Sequence, residues 1–273
     1  MSAAKGLRPS ISLVATALCA GLYAIGSYMT AYVPSPWGFG QFRPAVIVPS
    51  FFAVIFGPMP AGVGAAIGTL IADSIKHGCL YEGSLLAAVP GNFLGFYLFG
   101  RILRRRFTWG RFVLASNLTL TLANFMVAAL YIFIFKVLYL GQLSGLSLAD
   151  LASLVVGLTI WWFVTMLPFV LLVTPPIIRV AAMAFPAIVP EDVRARSLRE
   201  DLPKTTFGLA MLIPGMIMLL AGLATSYTVL GAYFRETFGA QTEGLIKFMF
   251  YGSGGILSMS GLATLVAREK RSR

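Results

Sequence analysis

The sequence predicts an all-α, polytopic membrane protein, and three observations carry that prediction. Of its 273 residues 58% are hydrophobic and only 11% charged, with a mean hydropathy of +0.84. A soluble domain of this length cannot bury so much apolar surface, so lipid must serve as its solvent. The apolar residues also come in runs, several of them near the roughly 20 residues a helix needs to cross a bilayer core. Finally, the formal charge of +11, from 21 Lys+Arg against 10 Asp+Glu, is spread between those runs rather than gathered on one face. That distribution reads as a topology signal and not as a nucleic-acid footprint.

The first run, Ile11 to Val33, is long enough to span, and no small-residue cleavage site follows it, so it predicts a first transmembrane helix rather than a signal peptide. Two short runs, 44–58 and 61–75, flank Gly57-Pro58-Met59-Pro60. Two prolines stop a straight helix there, leaving either a tight helical hairpin or one kinked span. Charge decides between them. With two passes and a cytoplasmic N-terminus, Lys5, Arg8, Arg101, Arg104, Arg105, Arg106, Arg111, Arg179, Arg194, Arg196, Arg199, Lys204, Arg268, Lys270, Arg271 and Arg273 all fall inside. Only Arg43, Lys76, Lys136, Arg235 and Lys247 then lie outside. A single pass would move Arg101 to Arg111 outward and erase the positive-inside bias. The runs 84–100, 112–138 and 151–178 complete six helices. A charged stretch bearing Pro186, Pro190 and Pro203 leads to two more, 207–230 and 244–267. The predicted organisation is a six-helix core at 1–183, a cytoplasmic linker at 184–206 and a two-helix extension at 207–273, in the cell membrane with both termini cytoplasmic.

Chemistry is scarce in this chain. It has one histidine, His77, and its few acids fall mostly in predicted loops, so no spacing suits a metal site or a pair of catalytic carboxylates. No enzyme, metal or cofactor is expected. Cys19 and Cys79 sit at different predicted depths, which disfavours a disulfide. No Gly-x4-Gly-Lys-Ser/Thr pattern occurs, so transport against a gradient would need a partner that hydrolyses ATP.

Small residues recur at helical spacing: Ala17-x3-Gly21 and Ala20-x3-Ala24 in the first helix, Gly64-x3-Gly68 in the third, Gly91-x3-Gly95 in the fourth. Such stripes let backbones approach closely, either inside the bundle or against a partner. The connection Pro34 to Arg43 is rich in aromatics and glycine. It reads as a lid in which Trp37 and Phe39 supply apolar contact and Arg43 holds an anionic or carbonyl group, or as an interfacial belt with a snorkelling arginine. Asp73 is an ionisable group at membrane depth, either the floor of a pocket or a partner of Lys76 at i,i+3. Asn92 follows Pro90-Gly91, while Asn117, Thr121 and Asn124 share one face of the fifth helix, and Trp161 and Trp162 occupy the sixth. For these amides the readings are an interhelical hydrogen bond or a ligand contact.

The run from Phe42-Arg43-Pro44 through Phe56-Gly57-Pro58, then Gly62, Gly64 and Gly68, then Pro90-Gly91-Asn92-Phe93-Leu94-Gly95, resembles the substrate-binding S components of energy-coupling-factor transporters, over about residues 11–183. The resemblance implies capture of a vitamin or similar micronutrient from outside, powered by a separate transmembrane T component and ATPases. It maps a docking face onto Ala20 and Ala24, with Ala17 and Gly21 beside them. It also places the ligand among Trp37, Arg43, Asn92, Asn124 and Trp161, to which the local reading adds Phe39 and Asp73. The two extra helices depart from the family pattern. Two competing readings are a self-sufficient facilitator lined by Asp73 and the Asn117/Thr121/Asn124 stripe, and a structural subunit of a larger membrane complex.

Overall fold

A computed structural model describes residues 8–198 and 201–266. Lys5, Arg199, Arg268, Lys270, Arg271 and Arg273, all assigned to the cytoplasmic side above, lie outside that range. Among the described residues, helices are the only regular secondary structure apart from a single bridge between Pro34 and Gln41. The helices are α1 (Pro9–Met29), α2 (Pro44–Ile55), α3 (Pro58–His77), α4 (Ser84–Arg104), α5 (Trp109–Tyr139), α6 (Leu148–Ala184), a single turn α7 (Glu191–Arg194), α8 (Lys204–Tyr227), α9 (Val229–Phe238) and α10 (Ala240–Val266). Six of them, α1, α4, α5, α6, α8 and α10, are long and apolar enough to cross a membrane.

Side-by-side packing shows how α2 and α3 are arranged. A Cβ on Gly64 would stand 2.6 Å from Cys19 Cβ, one on Gly68 would stand 2.7 Å from the Ala20 carbonyl, and Lys76 Nζ bonds the Ala31 carbonyl at 2.6 Å. Residue numbers rise together along both helices, so α1 and α3 run parallel. The chain between them must therefore return the length of the bundle, and α2 makes most of that return. It consists of a three-residue 3-10 turn and nine α-helical residues, about 18 Å in all, well short of a bilayer core. The break falls at Gly57, whose φ of +88° a side chain would resist. Pro58 and Pro60 do not form the turn, as the sequence suggests, but open α3, where their missing N–H groups cost nothing. Gly78, at φ +72°, ends it.

From α3 onward neighbours are antiparallel: Gly62 meets Phe93 and Tyr97, Gly100 meets Pro58, Gly91 meets Val127, and Gly95 meets Ala123. The stripes on α3 and α4 are thus seams inside the bundle. Thr108 caps α5 by accepting from the Arg111 N–H at 3.2 Å, and Ser147 and Asp150 form a capping box at the start of α6. Both helices run a few residues longer than the predicted apolar runs, and each continues through a π-helical stretch, 130–139 in α5 and 169–173 in α6, the second directly after Pro168.

The described parts of the 184–206 segment pack against the bundle. Asp192 Oδ2 accepts from the Phe107 N–H at 2.7 Å, Trp109 Nε1 donates to the Ser197 carbonyl at 3.2 Å, and Arg179 bonds the carbonyls of Arg194 and Arg196. Asp201 accepts from the Ser197 N–H and from Arg196, interactions that hold its carboxyl below the usual carboxylate range. Beyond it α8 and α10 pack chiefly on each other through Gly208, Gly215, Gly222, Gly254 and Gly261, and touch α5 and α6. Tyr233 of α9 ties this pair to α6 by a 2.8 Å hydrogen bond to Asp150 Oδ1.

Candidate ligand-binding site

At the end of the bundle away from Arg101–Arg111, the 33–42 connection folds back on itself. The Phe42 N–H donates to the Val33 carbonyl at 2.8 Å, and the Ser35 hydroxyl donates to the Phe39 carbonyl. Its tip is held close to α6. Trp162 Nε1 donates to the Gln41 carbonyl at 3.1 Å, and a Cβ on Gly40, at φ +66°, would lie 2.5 Å from the Trp162 ring. Gly40 is therefore required twice, for its backbone angle and for the approach of the indole.

Gln41 and Arg43 then turn inward onto Asp73 of α3. Arg43 Nη2 stands 2.6 Å from Asp73 Oδ1, Gln41 Nε2 donates to the same oxygen, and Ser84 of α4 donates to Oδ2 at 2.7 Å. Arg43 Nη1 reaches the Thr69 hydroxyl. Both charged side chains are buried, at 9% and 7% exposure. An ion pair so desolvated is tolerable because both carboxylate oxygens and both terminal guanidinium nitrogens have partners. Between the two readings of Asp73, the geometry gives a polar floor joined to the loop by Arg43. Lys76 is not its partner. The ammonium instead bonds the carbonyl of Ala31 and Gln41 Oε1, at 2.6 and 3.1 Å.

Above this floor lies a cavity of about 150 Å³. Its walls include Phe39, Ala88, Val127, Tyr131, Trp162 and Met166, and its polar lining includes Arg43, Asp73, Lys76, His77, Asn92 and Asn124. Neither amide is spent on a strong partner. Asn124 Nδ2 reaches only Met166 Sδ, at 3.7 Å, and Asn92 has no side-chain hydrogen bond among the described residues. At the mouth His77 stacks on Tyr81, centroids 3.9 Å apart, and the Tyr81 and Tyr131 hydroxyls are 3.0 Å apart. Burial pushes the Tyr81 phenol above its usual pKa, so it stays a neutral hydroxyl. Lys136 lies over the rings of Phe39, Tyr131 and Phe135 at 5.4, 5.6 and 5.7 Å. Ser84, Ala87 and Ala88 come from the π-helical start of α4, and Tyr131 from the π-helical end of α5, so two of the chain's π-helical stretches border this cavity.

Five of the seven sequence-derived ligand residues, Phe39, Arg43, Asp73, Asn92 and Asn124, line this cavity. Trp37 does not; its ring covers Gly157, where a Cβ would sit 2.4 Å away. Trp161 also lies outside the lining, and its neighbour Trp162 forms the wall. Adjacent helical residues point about 100° apart, so only the packing of α6 distinguishes them. The supposed stripe on α5 divides likewise: Asn124 faces in, Thr121 is exposed, and Asn117 bonds the Val113 carbonyl at 2.9 Å. Sequence reasoning missed Gln41 and Thr69, whose only signal was polarity beside Arg43 and one turn before Asp73. It also missed the aromatic cluster around Lys136.

The expected docking face on α1 is not continuous either. Ala20 and Ala24 are buried within the bundle, where the Ala20 carbonyl meets Gly68 of α3, whereas Ala17 is exposed and Gly21 has open space beside it. Cys19 is buried and Cys79 exposed, both free thiols. Comparison of the chain with protein-family models, with curated proteins and with solved structures finds no match.

Proposed function

We propose that this protein is a membrane-embedded binding subunit that captures a small polar organic molecule, vitamin-like in size, for uptake powered by a separate T component and ATPases. The observation that carries the reading is the cavity itself, small and aromatic-walled, with two amides left without strong partners and a buried ion pair as floor. Cavities near 150 Å³ hold a single six-membered ring. The lining sets Arg43 and Lys76 against Asp73 alone, one positive charge in excess, which suits an anionic or carbonyl-bearing group at the mouth and an amide-reading edge within. The positive-inside distribution supports cytoplasmic termini, eight passes that count α2 and α3 separately, and a cavity open to the outside. α8 and α10 would then be additions to a six-helix, S-component-like core.

A self-sufficient facilitator is the competing reading. Along α3, Ala61, Gly62, Gly64, Ala65 and Gly68 are closely packed between the two ends of the bundle, an arrangement that favours capture over open flux. The test is to extract the protein gently and identify copurifying small molecules and subunits by mass spectrometry. Thermal unfolding is then followed across a panel of single-ring acids and amides. A ligand present at a hundred times its Kd stabilises by about 2.7 kcal/mol. Ligand-free protein that no panel member stabilises, and that associates with no T component, would sink the proposal; solute flux in liposomes without ATPases would favour the facilitator.

A further inference from the structure

At the opposite end of the bundle lies a larger cavity, about 640 Å³, between the end of α2, the start of α3, the end of α4 and the segment before α7. Its apolar lining includes Phe56, Met59, Leu103 and Ile188, of which Met59 and Ile188 are half exposed, as lipid-facing side chains are. Arg104 and Arg105 stand at its rim, both exposed. Neither has a counter-ion or hydrogen-bond partner among the described residues. The one carboxylate in the lining, Asp192, has an oxygen engaged by the Phe107 N–H at 2.7 Å.

We infer that this cavity is a binding site for an anionic phospholipid, with the headgroup phosphate between Arg104 and Arg105 and the upper acyl chain along Phe56, Met59 and Ile188. Two features separate it from a general basic surface. The arginines border a concave, partly apolar space rather than a convex one, and that space opens where helix ends meet the polar boundary, the depth at which a lipid carries its phosphate. Basic pockets between transmembrane helices on the cytoplasmic side hold anionic headgroups in this way. A soluble phosphate would use the arginines but leave the apolar wall unoccupied.

The experiment is native mass spectrometry of the full chain released from nanodiscs of phosphatidylglycerol or of phosphatidylcholine, with lipid retention as the readout. The inference expects one phosphatidylglycerol retained preferentially over phosphatidylcholine. Arg104→Gln/Arg105→Gln should lower that retention roughly thirty-fold, from about 1 kcal/mol per basic residue near the membrane surface. Arg101→Gln/Arg106→Gln makes the same charge change at exposed positions outside the lining, and should lower retention clearly less than the Arg104/Arg105 pair does. Met59→Trp, which fills the cavity with its charges intact, should also lose the lipid. Equal retention of the two lipids, equal losses in the two arginine pairs, or stabilisation by millimolar inorganic phosphate matching that by the lipid would overturn the inference. None of these outcomes depends on the ligand of the other cavity.

Discussion

Two buried carboxylates in this molecule each pair with an arginine and have opposite surroundings. Asp73 and Arg43 are both out of solvent, and they form the floor of a cavity with aromatic walls. Glu243, at the start of α10, is buried as well, but its partners reach solvent: Arg235 is 63% exposed and Lys247 29%. Its 2.7 Å contact with Arg235 joins α9 to α10, its 2.5 Å contact with Lys247 lies within α10, and it lines no described cavity. The first pair is desolvated on both sides and connects the loop, α3 and α4. The second fastens a helical hairpin at low electrostatic cost, because water still screens its cations. A buried charge in a membrane protein is therefore not in itself a ligand site; what distinguishes Asp73 is the unspent hydrogen-bonding capacity around it.

Breaking that contrast begins with Asp73→Ala, which leaves Arg43 buried without a counter-charge. The expected loss is about 3–5 kcal/mol of stability, read as a large fall in melting temperature and in monodisperse yield. Gly68→Leu should come next, at about 1–3 kcal/mol on the same melting assay, because its side chain would meet the Ala20 carbonyl and force α1 from α3. Glu243→Gln should shift the melting temperature by less than half as much as Asp73→Ala, since Arg235 and Lys247 keep their hydration; equal shifts would abolish the distinction drawn here. The smallest effects on the fold sharpen the site instead. Asn124→Ala and Asn92→Ala should leave unliganded melting nearly unchanged yet weaken ligand-induced stabilisation, by about three- to ten-fold in affinity for each hydrogen bond lost.

Much of this was legible from residue order. Hydropathy located every long helix, since a span must present apolar side chains along its whole length whatever it packs against. Gly64, Gly68, Gly91 and Gly95 announced close seams because no other residue permits that approach. Arg43, Asp73, Asn92 and Asn124 stood out because polar groups at that depth are costly enough to need a reason. Helix phase was harder to read. Choosing Trp162 over Trp161, or separating Ala17 from Ala20, needs the rotation of a helix about its axis, and in an all-round apolar helix the hydrophobic pattern carries little of that information.

By itself, the sequence determined that this chain is built of long apolar helices, consistent with a multi-pass membrane protein, and where those helices lie. These properties follow from sums over local residues and their transfer from water to lipid. Only the tertiary structure decided that Asp73 belongs to Arg43 and not to Lys76, that Gly57 rather than the prolines makes the turn before α3, and that the stripe on α1 faces two ways. Each of those outcomes rests on contacts between residues far apart in the chain, whose energies depend on distance and orientation and so exist only once the helices are packed.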